Sequence, residues 1–532
     1  ARREVVGAGR GARRVGRVIG HGSSPAPSAA VLSILSGDRA AILDAMPALA
    51  AGSIVFATSG AVLVLEILAG RLLAQYVGIS LATFTGIIGT VLAGISVGTW
   101  AGGALADRIR PQRLLGPLIS AGGATVLITV PVVRALGPSL PGSSTPAIVV
   151  LTTAGFFLPA AVLSAVGPAV VKLQLADLDH TGSVVGRLSA IGTLGALVGT
   201  YATGFLLVAA APTSTIIAVL GTGLVAAGIA VWLWAAAATI SAGRAGAVVM
   251  VGAVGGLLTI GLDGPCDVES AYHCAEVVPD PSRSSGRLLL LDTARNSYVD
   301  LDDPTHLNFS YARVIADVIG TLAPGEPLDA LHVGGGGFTL PRWLQATRPG
   351  STSLVLEIDP AVVELGEAEL GLVTGPDLDV RTGDARLGVG ELADGAYQVV
   401  IGDAFTGFSV PWHLTTREFV AEIDRVLAPA GTYLLNVIDH PPLRFVRAET
   451  ATLLERFEHV AVIAPPARLD GDGGGNFVLV AGHEPLDLAA VSRSIVSRGG
   501  RDAIAAGPDA DDFAGDREIL RDDHAPVDQW RR

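Results

Sequence analysis

The chain has 532 residues, of which 50% are hydrophobic and only 16% are charged. Because about a quarter of the residues in soluble domains are charged, this composition excludes an ordinary soluble protein. Charge is also divided along the chain: residues 1–262 hold 15 Lys and Arg against 7 Asp and Glu, and the remainder holds 21 against 43. A basic apolar half followed by an acidic half indicates at least two domains in different solvents, and the acidic half disfavours a nucleic-acid partner.

The first half contains seven apolar runs, each close to the roughly 20 residues that cross a bilayer core. They lie near residues 50–70, 82–104, 114–135, 146–171, 184–210, 213–236 and 245–262. We therefore expect a polytopic α-helical membrane domain of about seven spans over residues 49–262, with the lipid bilayer as a partner. Residues 1–48 are basic, which predicts a disordered segment. This segment lacks the apolar region of a cleavable signal peptide, so we do not expect one there.

Lys and Arg beside the spans predict their orientation, because cytoplasmic loops carry the excess of positive charge. The basic segments contain Arg13, Arg14, Arg17 and Arg39 before the first span, Arg108, Arg110 and Arg113 after the second, Lys172 and Arg187 after the fourth, and Arg244 after the sixth. The alternate loops carry little beyond Arg71 and Arg134. This pattern predicts a multi-pass protein of the cell membrane with a cytoplasmic N-terminus. With seven spans, the C-terminal half then lies outside.

The only two cysteines, Cys266 and Cys274, follow the last predicted span. Such a pair can close a small loop by a disulfide in an oxidising compartment, and two unpaired buried thiols are the alternative. His273 is the only histidine nearby, which is too few ligands for a metal site.

Glu66 is an ionisable group inside the first span, where such a group is costly and is usually paired. Arg71 is its expected partner, in an ion pair that fixes helix packing or in a transport or substrate role. The segment GALADRIRP at 103–111 resembles the loop motif of major-facilitator transporters, in which a Gly and an Asp-Arg pair lock two helices. Seven spans are too few for that twelve-helix fold.

The acidic half begins with a linker and a small β-region over residues 263–327, where the strand-like runs LLLLD and SYVDL flank a polar turn. From residue 328 to 498, strands alternate with helices. That alternation predicts an α/β doubly wound, mostly parallel sheet, which is a Rossmann-like fold of methyltransferase type. Residues 499–532 form an acidic tail that we expect to be partly ordered at most.

Ligands of such sheets bind at the carboxyl ends of the strands. Gly334–Gly337 follow the first strand, where the missing Cβ atoms let a ligand approach the backbone closely. Glu357 and Asp359 close the second strand, where a carboxylate can accept hydrogen bonds from ribose hydroxyls. Asp384 and Asp403 end the next two strands, where a carboxylate beside adenine can accept a hydrogen bond from the exocyclic amine and one further in can serve as a general base. Together these positions predict a nucleoside site.

The order and the amino-acid sequences of these segments resemble those of the spermidine synthase (polyamine aminopropyltransferase) family, and the whole chain resembles its membrane-fused bacterial members. The resemblance covers roughly residues 289–480. It implies that the ligand is decarboxylated S-adenosylmethionine and that Asp403 accepts a proton from the attacking amine. The implied ligand-binding residues are Gly334, Gly335, Gly336, Glu357, Asp384 and Ala385, with Asp359 beside them.

The chain also departs from the family pattern. Gly337 replaces the Asp of the glycine-rich turn, Ala312 and Arg313 replace the His-Glu that follows the family Tyr, and the second acid after Asp403 is Gly407. A cationic polyamine needs several carboxylates to offset its desolvation, and Arg313 would add a repelling charge. The adenosyl half of the site is therefore better preserved than the polyamine half.

Three functions of different classes follow. The first is an aminopropyl-type transferase with an altered acceptor, the second is a methyltransferase that uses S-adenosylmethionine, and the third is a non-catalytic sensor or transport-coupled domain. Each has a small-molecule ligand and none requires a metal; the oligomeric state is left open, a homo-oligomer included. Adenosyl sulfonium compounds are made in the cytosol, so an α/β domain outside the cell weakens the two enzymatic functions.

Overall fold

The structure is a computed structural model that describes residues 47–78, 81–140, 144–175, 180–235, 250, 253, 266–405 and 410–530. The predicted disordered segment 1–48 lies outside these residues, apart from its last two positions. The seventh predicted span, 245–262, also lies outside them, apart from residues 250 and 253.

The other six predicted spans are helices long and apolar enough to cross a membrane. They are α1 (Ala48–Val77), α2 (Leu81–Arg108), α3 (Pro111–Leu136), α4 (Thr145–Gln174), α5 (Thr181–Ala210) and α6 (Thr213–Ala235). Glycines let these helices pack closely. A Cβ on Gly195 of α5 would lie 2.2 Å from the carbonyl oxygen of Phe56 on α1, and one on Gly98 of α2 would lie 2.0 Å from that of Ala161 on α4.

The acidic half packs against one end of this helical domain. At that end, the backbone N–H of Thr213, the first residue of α6, donates to the carboxylate of Glu269 over 2.8 Å. The opposite end carries the basic loops, where Lys172 at the end of α4 pairs with Asp107 of the loop motif over 2.8 Å. The α/β domain and the basic loops therefore lie at opposite ends of the helices.

The predicted β-region is a four-stranded antiparallel sheet. Its strands are β1 (Val268–Glu269), β2 (Cys274–Pro279), β3 (Gly286–Leu291) and β4 (Ala294–Asp300). The runs LLLLD and SYVDL form the β3–β4 hairpin, with Leu288 opposite Tyr298. Cys266 and Cys274 form a disulfide that closes the loop around β1.

The main sheet has eight strands in the order β12-β10-β11-β9-β8-β5-β6-β7. The strands are β5 (Asp329–Val333), β6 (Thr352–Glu357), β7 (Leu378–Thr382), β8 (Tyr397–Gly402), β9 (Leu427–Asp439), β10 (His459–Ala464), β11 (Gly475–Gly482) and β12 (Ala503–Ala506). Strands β5 to β9 pair in parallel, whereas β10, β11 and β12 are antiparallel to their neighbours. The Rossmann-like prediction is confirmed, with a mixed sheet.

Helices cover both faces of this sheet. Their bounds are α7 (Ser310–Thr321), α8 (Thr339–Thr347), α9 (Pro360–Glu369), α10 (Ala385–Gly390), α11 (Arg417–Val426), α12 (Arg444–Leu454), α13 (Pro466–Leu469), α14 (Leu488–Ser497) and α15 (Pro508–Ala514). One apolar core lies under α7, α8 and α14, and another lies under α10, α11 and α12. Both cores hold the carboxyl ends of the central strands in fixed positions.

The acidic C-terminal tail is an integral part of the domain, which corrects the prediction of a partly ordered segment. Strand β12 pairs with β10 and forms that edge of the main sheet. Phe513, Leu520 and Val527 are buried in the core under α12, and Trp530 packs against it. These apolar side chains are spaced among many acids, so the average composition of the tail conceals its buried face.

We expect the two cysteines to report the side of the membrane on which the α/β domain lies. The domain is opposite the basic loops, so the positive-inside rule predicts that it lies outside. A membrane-impermeant thiol reagent should therefore label Cys266 and Cys274 in intact cells only after reduction. Lysed, reduced cells give the full signal as the control. Labelling that requires lysis would instead place the domain in the cytosol.

Candidate active site

The candidate site lies where the ends of β5 and β8 meet. From β5 the chain continues through α8 to β6 on one side, and it later returns to β8 on the other side, so a crevice opens between β5 and β8 at this change of direction. Gly334 follows β5 and Asp403 follows β8. A Cβ on Gly334 would lie 2.6 Å from the carbonyl oxygen of Asp403, and its φ is +99°. Only glycine allows this approach and this backbone conformation.

The glycine-rich turn faces a carboxylate and a hydroxyl. The N–H groups of Gly335 and Gly336 donate to Oε2 of Glu357 at the end of β6, over 2.8 and 3.3 Å. The N–H of Gly337 donates to Oγ of Ser297 on β4, over 2.9 Å. The turn is thus held from two strands, and the Glu357 oxygens retain lone pairs for further donors.

Asp384 precedes α10 and caps it. Its carboxylate accepts the backbone N–H of Arg386 over 2.8 Å, and its other oxygen lies 3.8 Å from Nε2 of His413. The Asp384 side chain is 37% exposed, so it remains accessible to a ligand. Ala385, the next residue, is buried.

Asp359 has a structural role, which differs from the predicted contact with ribose. Its side chain is fully buried and caps α9 by accepting the N–H of Ala361 over 3.0 Å. The hydroxyl of Ser270 also donates to this carboxylate. With these partners and no exposure, Asp359 supports the neighbouring Glu357 instead of facing a ligand.

Asp403 is enclosed by two hydrogen-bond donors. The phenol of Tyr311 donates to Oδ2 over 2.9 Å, and the side-chain amide of Asn436 donates to Oδ1 over 2.8 Å. Asn476 in turn donates to Asn436 over 3.0 Å. Burial raises the pKa of Asp403 to about 7, although both hydrogen bonds act to lower it. The carboxyl group is therefore suited to accept a proton near neutral pH.

A cavity opens in front of Asp403. The described residues that line it are Ser297, Tyr298, Asn308, Phe309, Tyr311, Ala312, His332, Gly334, Gly335, Thr339, Leu340, Pro341, Ile401 and Asp403. Of the predicted residues, Gly334, Gly335 and Asp403 line this cavity, whereas Gly336, Glu357, Asp384 and Ala385 lie outside it. Burial lowers the pKa of His332 to about 3, so this histidine is neutral.

Two charged residues are oriented differently from the expectation. Among the described residues no ion pair joins Glu66 to Arg71; the Arg71 guanidinium donates to the carbonyl oxygens of Ser270 and Ala271 in the small β-region that precedes the α/β domain. Arg313 is not among the described residues that line the cavity, and its guanidinium donates to the carbonyl oxygens of Leu307 and Asn308. In both residues the planar guanidinium binds two adjacent carbonyl groups.

Asn436 and Asn476 escaped the sequence analysis, and so did the role of Tyr311 as a partner of Asp403. One signal was available: Asn436 interrupts the apolar strand TYLLNVI, and a buried polar side chain in a central strand requires a partner. Its pairing with Asp403 required the register of β8 and β9, which is a property of the folded sheet.

No family model matches the chain. The polyamine aminopropyltransferase of Vibrio vulnificus (strain CMCP6) is 31% identical over 139 residues, which are 26% of this chain and 46% of that protein. The protein of the same name from Chromobacterium violaceum is 28% identical over 141 residues, which are 26% of this chain and 53% of that protein. The chain thus spans about half the length of these curated relatives.

Among solved structures, a probable spermidine synthase from Corynebacterium glutamicum ATCC 13032 is 29% identical to the chain, with a TM-score of 0.45. The match covers 47% of this chain and 94% of that one. The identity to the two curated relatives agrees with the family expected from the strand-end motif. Over this stretch, the chain is similar to polyamine aminopropyltransferases of the spermidine synthase family.

Proposed function

We propose that the chain is a membrane-anchored aminopropyl-type transferase whose α/β domain binds an adenosyl sulfonium donor. The observation that carries this proposal is Asp403, a carboxyl group with a pKa of about 7 at the mouth of a cavity beside the glycine-rich turn. Glu357 and Asp384 would hold the adenosyl group. Glu357 accepts hydrogen bonds from that turn, Asp384 follows strand β7 beside the Glu357 strand, and both carboxylates have free acceptor positions.

The proposed reaction assigns one proton transfer to this chain. The acceptor amine forms an N–C bond to the carbon beside the sulfonium, and the C–S bond breaks with its electron pair left on sulfur. Asp403 accepts the proton that leaves the nitrogen. The donors Tyr311 and Asn436 orient both carboxylate oxygens, so the base is held in one position.

The lining of the cavity favours decarboxylated S-adenosylmethionine over S-adenosylmethionine. A carboxylate on the ligand tail would require a cationic or N–H partner. None of the described lining residues is Lys or Arg, His332 is neutral, and the N–H of Gly337 already donates to Ser297. The Asp403 carboxylate would in addition repel an anionic tail. The same features argue against the methyltransferase alternative.

The acceptor in this proposal carries one ammonium group and an apolar remainder. Asp403 is the single carboxylate among the described residues that line the cavity, and Phe309, Leu340 and Pro341 supply an apolar wall. The second ammonium of a diamine would be desolvated there without a partner, at a cost of several kcal/mol.

The central experiment separates ligand binding from turnover. We expect Asp384→Ala to weaken binding of decarboxylated S-adenosylmethionine by roughly 10- to 100-fold, measured calorimetrically, because one or two bonds to a charged group are lost. Asp403→Asn should bind normally and lose roughly 10²- to 10⁴-fold in turnover. Asp487→Ala is the matched control for the first variant, since Asp487 also caps a helix, α14, away from the cavity. Equal behaviour of all three variants would refute both assigned roles.

The pH dependence should follow Asp403. A base must be deprotonated to act, so kcat/KM should rise with pH through a midpoint of about 7 and then level off. Asn436→Ala removes a hydrogen bond that favours the charged form, so it should move the midpoint upward by about one pH unit. Asn476→Ala, one bond further away, should shift it less. A midpoint near the usual Asp value, or a downward shift in Asn436→Ala, would contradict the assignment.

Acceptor choice can be tested by adding one charge. We expect kcat/KM for a primary monoamine such as hexylamine to exceed that for 1,4-diaminobutane in the natural chain. Thr339→Asp places a carboxylate in the cavity at the N-terminus of α8, where a negative charge is favourable, and should reverse the preference. Asn has the shape of Asp without its charge, so Thr339→Asn serves as the control for Thr339→Asp. Faster use of the diamine by the natural chain would refute the proposed acceptor.

A further inference from the structure

A continuous set of hydrogen bonds runs from the membrane domain to the glycine-rich turn. It starts at Arg71, near the end of α1 that faces the α/β domain. The two Nη atoms of Arg71 donate to the carbonyl oxygens of Ser270 and Ala271, and its Nε donates to Oγ1 of Thr213 over 3.3 Å. A planar guanidinium with three fixed donor directions sets the position of this loop relative to α1.

Ser270 connects this loop to Asp359 by a hydrogen bond. Its hydroxyl oxygen accepts the backbone N–H groups of Tyr272 and His273, each over 3.0 Å, and its proton is donated to the Asp359 carboxylate. The disulfide between Cys266 and Cys274 closes the loop in which Ser270 lies. The loop therefore holds a single hydroxyl against a buried charge.

Asp359 then connects to the proposed adenosyl site. Its backbone N–H donates to Oε1 of Glu357 over 3.0 Å, and Oε2 of the same carboxylate accepts the N–H groups of Gly335 and Gly336. Because Asp359 is fully buried, loss of the Ser270 hydroxyl would leave its carboxylate short of a donor. The backbone of Asp359, and with it Glu357, would have to adjust.

We propose that Arg71 and Ser270 are positioning residues, through which the membrane domain sets the orientation of Glu357 and hence the affinity for the adenosyl donor. This inference rests on the proposed function, because it assigns donor binding to Glu357. Its thermodynamic consequence is reciprocal: binding of the donor at the turn favours the packing of α1 against the Ser270 loop.

The test uses the full chain in lipid nanodiscs. Arg71→Met and Ser270→Ala should each raise the Kd for decarboxylated S-adenosylmethionine by about tenfold, while kcat at saturating donor is unchanged. Because both residues act through one set of bonds, the double variant should be little weaker than either single variant. Arg71→Lys should recover part of the affinity. Arg113→Met is the control, since exposed Arg113 lies at the opposite end of the helices.

A second measurement makes the result independent of the ligand. Hydrogen exchange at the backbone N–H groups of Asp359 and Ala361 should become faster in Arg71→Met and Ser270→Ala, and it should not change in Arg113→Met. Unchanged exchange, or unchanged Kd in variants of a chain that binds the donor, would overturn the inference. Faster exchange in a chain that does not bind the donor would support the positioning and refute the proposed function.

Discussion

The site depends on the close approach of two strand ends. The backbone of Gly334 lies against the carbonyl group of Asp403, at a distance that leaves no room for any side chain at position 334. Because β5 and β8 pair in parallel up to this point, their register brings the glycine-rich turn and the proposed base, Asp403, into one crevice. Glu357 on the other neighbour of β5 then holds the turn in place. The groups proposed to bind the donor and to accept the proton are therefore positioned by three adjacent strands.

The electrostatics of the crevice follow from burial. Taking Asp403 out of water favours its neutral form, whereas the Tyr311 and Asn436 donors favour its anion. The balance leaves a carboxyl group whose pKa lies near neutrality, which is the range in which a base both accepts and releases a proton readily. Burial raises the pKa of Tyr311 well above its usual value, and the neighbouring Asp403 carboxylate raises it further, so the phenol remains a donor. An uncharged His332 keeps the wall of the cavity neutral.

The membrane domain adds a second constraint. Six described helices pack through glycines, and the end of α1 contacts the loop that supports Asp359. The α/β domain therefore lies against the helices at the end opposite the basic loops. If that end is extracellular, a donor made in the cytosol must cross the membrane to reach the site, so the sidedness of the domain bears directly on its chemistry. A domain inside the cell would remove that requirement.

The sequence by itself determined that one half of the chain is apolar enough for a bilayer and the other half is compatible with water. It also determined six of the helices, the order of the strands along the chain and the acids at the strand ends. Apolar length, alternation of strands with helices, and glycine at a turn are local properties that a single chain displays directly. Tertiary structure alone decided which acid lines the cavity. Asp359 and Asp403 look alike in the sequence, yet one caps a helix in the interior and the other faces a cavity. Three contacts join residues that are distant in the chain: Asn436 pairs with Asp403, Arg71 binds the Ser270 loop, and the acidic tail pairs with the edge of the sheet. Such contacts depend on strand register and helix packing, which no local pattern encodes.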